Sequence, residues 1–185
     1  DDGLQDKTLK YDVSIVCFNN INWIGNGMTF PSGPLRESLE NIKNYKHIFL
    51  NGNLENLEFL KREILSINSE INIYVGKYEA TNIDEFNKNN NYLVFSGIGN
   101  HKTFISMVKN YGLKIIKDLE FADHYQYSNK DINKIIDIAK NLDCKIITTE
   151  KDYLRLKDKD FNEIKYIKSN LKILNEDEFI KSIIK

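Results

Sequence analysis

The chain has 185 residues, 41% of them hydrophobic and 29% charged, enough to bury one substantial core or two small ones without a metal or disulfide staple. Its 26 Lys and Arg nearly cancel 27 Asp and Glu, and a net charge of -1 excludes a nucleic-acid binder held by bulk charge. No stretch approaches the roughly 20 apolar residues of a membrane span and no signal-peptide pattern opens the chain, while Cys17 and Cys144 sit far apart in apolar runs, as free thiols do in a reduced cytoplasmic setting.

The chain begins at Asp1 with no initiator Met, and Asp1-Asp2-Gly3 resembles the end of a strand whose body lies upstream, so a fragment is expected. Tyr11 to Phe18, with Val13, Ile15, Val16 and Cys17, is predicted as a buried strand. Residues 25–34 hold both prolines with Gly25, Gly27 and Gly33, which predicts irregular backbone of the kind that carries function. Leu35 to Ile42 reads as a helix and His47 to Leu50 as a short strand. Leu54, Leu57, Leu60, Ile64 and Ile67 recur at a helical period, and Ile71 to Val75 reads as the next strand.

The Asn-rich stretch 81–91 is expected to be a linker, dividing residues 1–80 from a smaller α/β domain at 92–185. There, Tyr92 to Ser96, the turn Gly97-Ile98-Gly99, a helix from His101 to Asn110 and a strand from Leu113 to Phe121 make a βαβ unit. Ser128 and Asp131 form a capping box for a helix whose apolar face is Ile132, Ile135, Ile136, Ala139 and Leu142. Lys145 to Thr148 and Ile164 to Ile167 read as strands and Glu176 to Ile184 as a terminal helix. The expected class is α/β, a layered and mostly parallel sheet.

Four clusters, at 1–5, 25–37, 122–125 and 148–152, sit at predicted strand ends, where the loops of open α/β sheets form ligand crevices. Asp1 and Asp2, with Gly3 and Gln5, suit Mg2+, which takes one or two carboxylates and completes its shell with water and phosphate. Adjacent acids at a terminus are also what solvated charge looks like. Pro31-Ser32-Gly33-Pro34 runs straight into Arg36 and Glu37, fixing both relative to the turn, and Arg36 can grip a phosphate in bidentate fashion. A Pro-initiated helix with both residues on its exposed first turn fits as well.

Gly97 and Gly99 are half of a dinucleotide fingerprint, with Lys102 where a third glycine would stand. The turn either offers N–H groups to an anion or is simply tight. Asp123-His124 sets a carboxylate beside a ring that it can orient for acid–base chemistry on a hydroxyl, although a lone histidine in such a loop also serves as a structural hydrogen-bonder. His47 and His101 read as surface or structural, and the three histidines share no zinc-site spacing. In Thr148-Thr149-Glu150-Lys151-Asp152, Lys151 suits a phosphate and Asp152 suits positioning Lys151; Thr149 and Asp152 also satisfy a helix N-cap.

Taken in order, DDGxQ at 1–5, GNGxxxPxGPLRE at 25–37, SGIG at 96–99, FxDH at 121–124 and TTEKD at 148–152 resemble the tetraacyldisaccharide 4'-kinase family, from Asp1 to about Leu156. The resemblance implies a P-loop kinase of lipid A biosynthesis that transfers the ATP γ-phosphate to the 4'-hydroxyl of a tetraacylated disaccharide 1-phosphate. It implies a peripheral place on the cytoplasmic face of a Gram-negative inner membrane, with ATP and Mg2+ as cofactors. Asp1 and Asp2 then take the Walker-B-like position, with Asp2 the better metal ligand and Glu37 a second one. Gln5, Asn26, Gly27, Arg36, Gly97, Gly99, Lys151 and Asp152 fall on the substrate or phosphate side. His124 and Asp123 fall on the catalytic side, and the resemblance gives His124 an aspartate partner upstream of Asp1.

Tyr125, Ser32 and Ser38 depart mildly from the family pattern. No G-x-x-x-x-G-K-[ST] occurs in the sequence, so the expectation is the C-terminal portion of a P-loop kinase, inactive alone and completed by an N-terminal half. The alternative is a non-catalytic remnant that folds and binds glycolipid or a partner chain. An unrelated α/β enzyme with a dinucleotide at the Gly97–Gly99 turn is the third reading.

Overall fold

The computed structural model describes residues 3–6, 8–156 and 161–184. In chain order the strands and helices are β1 (Ile15–Asn19), β2 (His47–Gly52), α1 (Leu57–Ile67), β3 (Asn72–Ala80), β4 (Asn91–Ser96), α2 (His101–Asn110), β5 (Lys114–Glu120), α3 (Asn129–Asn141), β6 (Lys145–Thr149), α4 (Glu150–Leu154), β7 (Ile164–Ile167), β8 (Ser169–Leu174) and α5 (Glu176–Ile183). They form two four-stranded sheets, ordered β1-β2-β3-β8 and β5-β4-β6-β7. The pairs β1–β2, β2–β3, β4–β5, β4–β6 and β6–β7 are parallel, which makes the chain an α/β protein as its alternating pattern predicts.

The chain divides into two compact units, one of described residues up to Lys77 and from Leu171 onward, the other Tyr78–Asn170. Both crossings fall inside strands, β3 and β8, where a linker at 81–91 was expected. The Asn-rich stretch is fastened within the second unit: Thr81 N donates to Lys168 O at 2.9 Å, Asn82 Nδ2 to Tyr166 O at 3.1 Å and Lys168 N to Asn82 Oδ1 at 2.9 Å. Phe86 is buried against Tyr92. Polar composition here reflects asparagines that satisfy backbone groups, the local bonding that makes this residue common in turns. The C-terminal segment, expected in the second domain, returns as β8 and α5 to the first.

In the second unit β4 is the organising strand. Its run Tyr92-Leu93-Val94-Phe95 is buried on both faces, as a central parallel strand requires. Side chains alternate across the sheet: Tyr92 and Val94 pack with Phe104, Met107 and Val108 of α2, while Leu93 and Phe95 pack with Ile132, Ile135 and Ile136 of α3. Full burial of each such side chain stabilises by about 1.5–3 kcal/mol. The capping box forms as predicted, with Asp131 N donating to Ser128 Oγ at 3.2 Å and Ser128 N to Asp131 Oδ2 at 3.0 Å. The predicted apolar face is buried except Leu142, the C-cap, which is exposed.

In the first unit Ile48 and Leu50 of β2 pack against Leu60 and Ile64 of α1, and on the other face Phe49 and Tyr74 meet Phe179 of α5 at ring-centroid distances of 5.8 and 4.9 Å. The helix expected at Leu35 to Ile42 is instead a 3-10 stretch at Leu39–Asn44. Leu35 cannot begin a helix because its N–H and C=O are spent on Met28 O and Phe30 N, at 3.2 and 2.8 Å, closing the loop ahead of it.

At the end of β2, Gly52 has φ +133, and a Cβ there would lie 2.1 Å from Asn20 Oδ1. The buried Asn20 uses that oxygen to accept from Asn53 N at 2.9 Å, and its Nδ2 donates to Asn53 O at 2.7 Å.

Gly52→Ala should destabilise the first unit by about 1–3 kcal/mol, read as a lower urea midpoint in the fluorescence of Trp23, the single tryptophan. Ser128→Ala should destabilise α3 by about 1 kcal/mol at neutral pH. Hydrogen bonds from the Ser128 side chain and then its backbone hold the Asp131 carboxyl below the usual aspartate range. The part carried by the ionised Asp131 is therefore present above the unfolded value and lost as the pH falls through the folded one, so circular dichroism melts of wild type and variant should draw closer in acid, the bond from Asp131 N to Ser128 Oγ remaining as the difference.

Candidate functional site

Because β4, β5 and β6 run parallel, their C-terminal ends emerge on one edge of the second sheet. Three connections meet there: 97–100 into α2, 121–127 out of β5, and the direct step from β6 into α4. Backbone bonds join the first two, Phe121 N donating to Ser96 O at 2.9 Å and His124 N to Gly97 O at 3.1 Å. Gly97 permits this approach, since a Cβ there would lie 2.9 Å from Tyr127 Oη and 3.1 Å from Ala122 O.

The carboxylate of Asp152, with 0% of its surface exposed, ties the three connections together. Its Oδ1 accepts from Gly97 N and Tyr127 Oη, both at 3.1 Å, and from Arg155 Nη1 at 3.3 Å; its Oδ2 accepts from Thr149 Oγ1 at 2.6 Å. A buried carboxylate is tolerable only with such a set of donors. Burial, and then the Asp152 charge, push the Tyr127 hydroxyl well above the usual tyrosine range, so it remains a donor. Thr149 caps α4 by accepting from Asp152 N at 3.0 Å, the N-cap that the sequence allows.

This geometry revises two sequence assignments. Asp152, expected beside a ligand, is enclosed and pairs with Arg155 rather than positioning Lys151. The N–H of Gly97, expected to face an anion, is taken by Asp152. Lys151 is exposed on the first turn of α4 and lines a cavity of about 530 Å³ with Ile98, Gly99, Asp123, His124 and Arg155.

His124 is exposed and sits at φ +59, in the left-handed region that costs an L-residue roughly 1–2 kcal/mol. Besides Gly97 O, its N–H meets the Asp123 carboxylate, Oδ1 at 2.9 Å. The ring is not oriented by Asp123 as the sequence suggests: Asp123 Oδ2 is 3.9 Å from Nε2, beyond hydrogen-bonding range. Arg155 Nη2 approaches Nδ1 at 3.3 Å, while its Nη1 donates to Gly97 O at 2.9 Å. Sequence reasoning missed Arg155; its signal is the spacing of three from Asp152, which places both on one face of a helical turn. His101 is buried, with Nδ1 2.7 Å from Ser96 Oγ and Nε2 3.5 Å from Asp118 Oδ2, and fills the structural role.

The first unit holds the other clusters. Asn26 braces its loop, Nδ2 donating to Ser32 O at 2.8 Å and Oδ1 accepting from Met28 N at 3.1 Å, beside Gly27 at φ +75. Gln5 Nε2 donates to Glu37 Oε1 at 3.2 Å and Asn41 Nδ2 to Glu37 Oε2 at 2.8 Å. Gln5, Trp23, Arg36 and Glu37 line a cavity of about 480 Å³, where the Trp23 Nε1 has no hydrogen-bond partner among the described residues. Asp1 and Asp2 lie outside the described residues.

The family model described as LpxK, tetraacyldisaccharide-1-P 4'-kinase, matches residues 1–185. The tetraacyldisaccharide 4'-kinase of Pelagibacter ubique is 61% identical over 185 residues, covering 100% of this chain and 59% of that protein. The Rickettsia bellii enzyme of the same name is 36% identical over 159 residues, covering 85% of this chain and 48% of its own. The chain thus spans about half to three-fifths of the relatives it matches. A crystal structure of LpxK from Aquifex aeolicus in complex with ATP shares the fold, with a TM-score of 0.58 at 22% identity, over 100% of this chain and 56% of that one. With the family model matched from the first residue to the last, the chain belongs to the tetraacyldisaccharide-1-P 4'-kinase family.

Proposed function

We propose that this chain is part of a kinase that transfers the γ-phosphate of ATP to the 4'-hydroxyl of a tetraacyldisaccharide 1-phosphate in lipid A biosynthesis, working as a peripheral protein on the cytoplasmic side of the inner membrane. The observation that carries this reading is the 61% identity with the Pelagibacter ubique kinase along all 185 residues. The Aquifex aeolicus neighbour, described in complex with ATP, supports ATP as the donor. No helix of the described residues is long and apolar enough to cross a membrane. The activity is assigned to the longer protein of which this chain matches 59%, the unmatched part supplying the phosphate loop.

Phosphoryl transfer asks a protein chiefly for positioning and for charge around the phosphates. The bond from phosphorus to the sugar oxygen forms as the bond to ADP breaks, and the hydroxyl proton must leave. In this reading His124 and Asp123 address that hydroxyl, and Lys151 brings an exposed ammonium to the same cavity. Gly99 gives the turn room, since a Cβ there would lie 3.3 Å from Asp123 Oδ2. Arg36 and Gln5 serve the phosphate side in the first unit, where the loop braced by Asn26 and Gly27 leads into Arg36.

Glu37 fits a hard cation by its chemistry: it is a half-buried carboxylate, an oxygen donor of the kind such an ion takes. Glu37 with Asp1 and Asp2 would hold Mg2+, which when bound neutralises charge on the phosphate oxygens.

A chimera joining this chain to the part of the Pelagibacter ubique kinase that it does not match should transfer phosphate from ATP to tetraacyldisaccharide 1-phosphate. His124→Ala in that chimera should lower kcat by about 10²–10³-fold, the loss of one hydrogen-bond donor at the reacting oxygens. A folded chimera without transfer, beside an active parent enzyme, would overturn the proposal.

A further inference from the structure

The contact between Arg155 and His124 decides which ring nitrogen carries the proton. A guanidinium presents five donors and no acceptor, and it keeps its charge in proteins. With Arg155 Nη2 3.3 Å from His124 Nδ1, Nδ1 must be the acceptor. The single proton of the neutral ring then sits on Nε2.

This Arg155 is anchored where it stands. One nitrogen, Nη1, donates both to Gly97 O at 2.9 Å and to the enclosed Asp152 Oδ1 at 3.3 Å. Gly97 O is also the acceptor for His124 N, so one carbonyl fixes the backbone of the histidine and the guanidinium that addresses its ring. A group held on one side by a buried carboxylate and on the other by a main-chain carbonyl is preorganised.

We propose that Arg155 is a positioning residue for His124: it holds the ring as the Nε2–H tautomer, so that His124 serves the reaction as a hydrogen-bond donor and not as the base that takes the hydroxyl proton. Neither nitrogen can accept that proton in this arrangement, because Nε2 carries one already and Nδ1 is engaged. The proton acceptor is then a carboxylate or other oxygen on the Nε2 side, where Asp123 Oδ2 lies at 3.9 Å. The inference rests on reading His124 as part of the transfer site, but the tautomer can be measured without turnover.

Long-range proton–nitrogen NMR of the imidazole rings in this chain, above the pH of histidine protonation, tests it. There are three histidines, and His124→Gln assigns the signal. The expected result is a bare Nδ1 and a protonated Nε2 in the wild type, and a mixture of both tautomers in Arg155→Met with the signals of His47 and His101 unmoved. An Nδ1–H ring in the wild type overturns the proposal even if the variant fails to fold, and so does an unchanged His124 signal in a folded Arg155→Met. In the chimera, Arg155→Met should lower kcat at least about tenfold with KM within about twofold, and Arg155→Lys, which keeps the charge without the fork, should recover part of it. Transfer that fails in the unmodified chimera while the wild-type ring is Nε2–H counts against the kinase reading; an Nδ1–H ring in an active chimera counts against Arg155 alone.

Discussion

A carboxylate enclosed by protein must be met by donors on every side, and the edge of the second sheet where β4, β5 and β6 end is arranged around that demand at Asp152. The donors come from separate stretches of chain: the main chain after β4, a tyrosine beyond β5, the threonine ending β6 and an arginine one turn further on. Removing any of them would leave a buried charge under-satisfied. The loops, which elsewhere tolerate change, are therefore as tightly specified here as the core. The placement of His124 is a by-product of this stabilising requirement, because the histidine is bonded to the same Gly97 and Arg155 that serve the carboxylate.

The core of the second unit was legible in the residues. β4, α2 and α3 carry long apolar runs or strong periodicity bounded by a capping box, and each appears within a residue or two of its expected place. What pattern could not reveal is long-range. The strand β8, Ser-Asn-Leu-Lys-Ile-Leu, is mostly exposed, so its membership in the first sheet rests on pairing with β3 rather than on a buried face. Leu35 to Ile42 has helical composition, but a backbone bridge to Thr29 claims its first residue, a tertiary override of propensity.

The candidate site was legible by residue type and less so by role. Asp152, Gly97, Asp123 and His124 were all marked by their chemistry, yet nothing local distinguishes a carboxylate that faces a ligand from one that anchors an arginine. The difference is burial, and burial is set by how β4 and β6 align, Tyr92 opposite Lys145 and Val94 opposite Ile147. Arg155 escaped notice because a single arginine at the end of a short helix looks like solvated charge. Its meaning lies in two contacts more than 30 residues away in sequence, with Gly97 and His124.

The left-handed backbone at His124 has an evolutionary corollary. Among residues with a Cβ, histidine, asparagine and aspartate are those that enter this region most readily, so the alphabet open to drift at position 124 is short before any question of catalysis arises. Lineages that lost the ring would be expected to drift toward asparagine, aspartate or glycine, and a β-branched residue there would mark a loop that had been rebuilt.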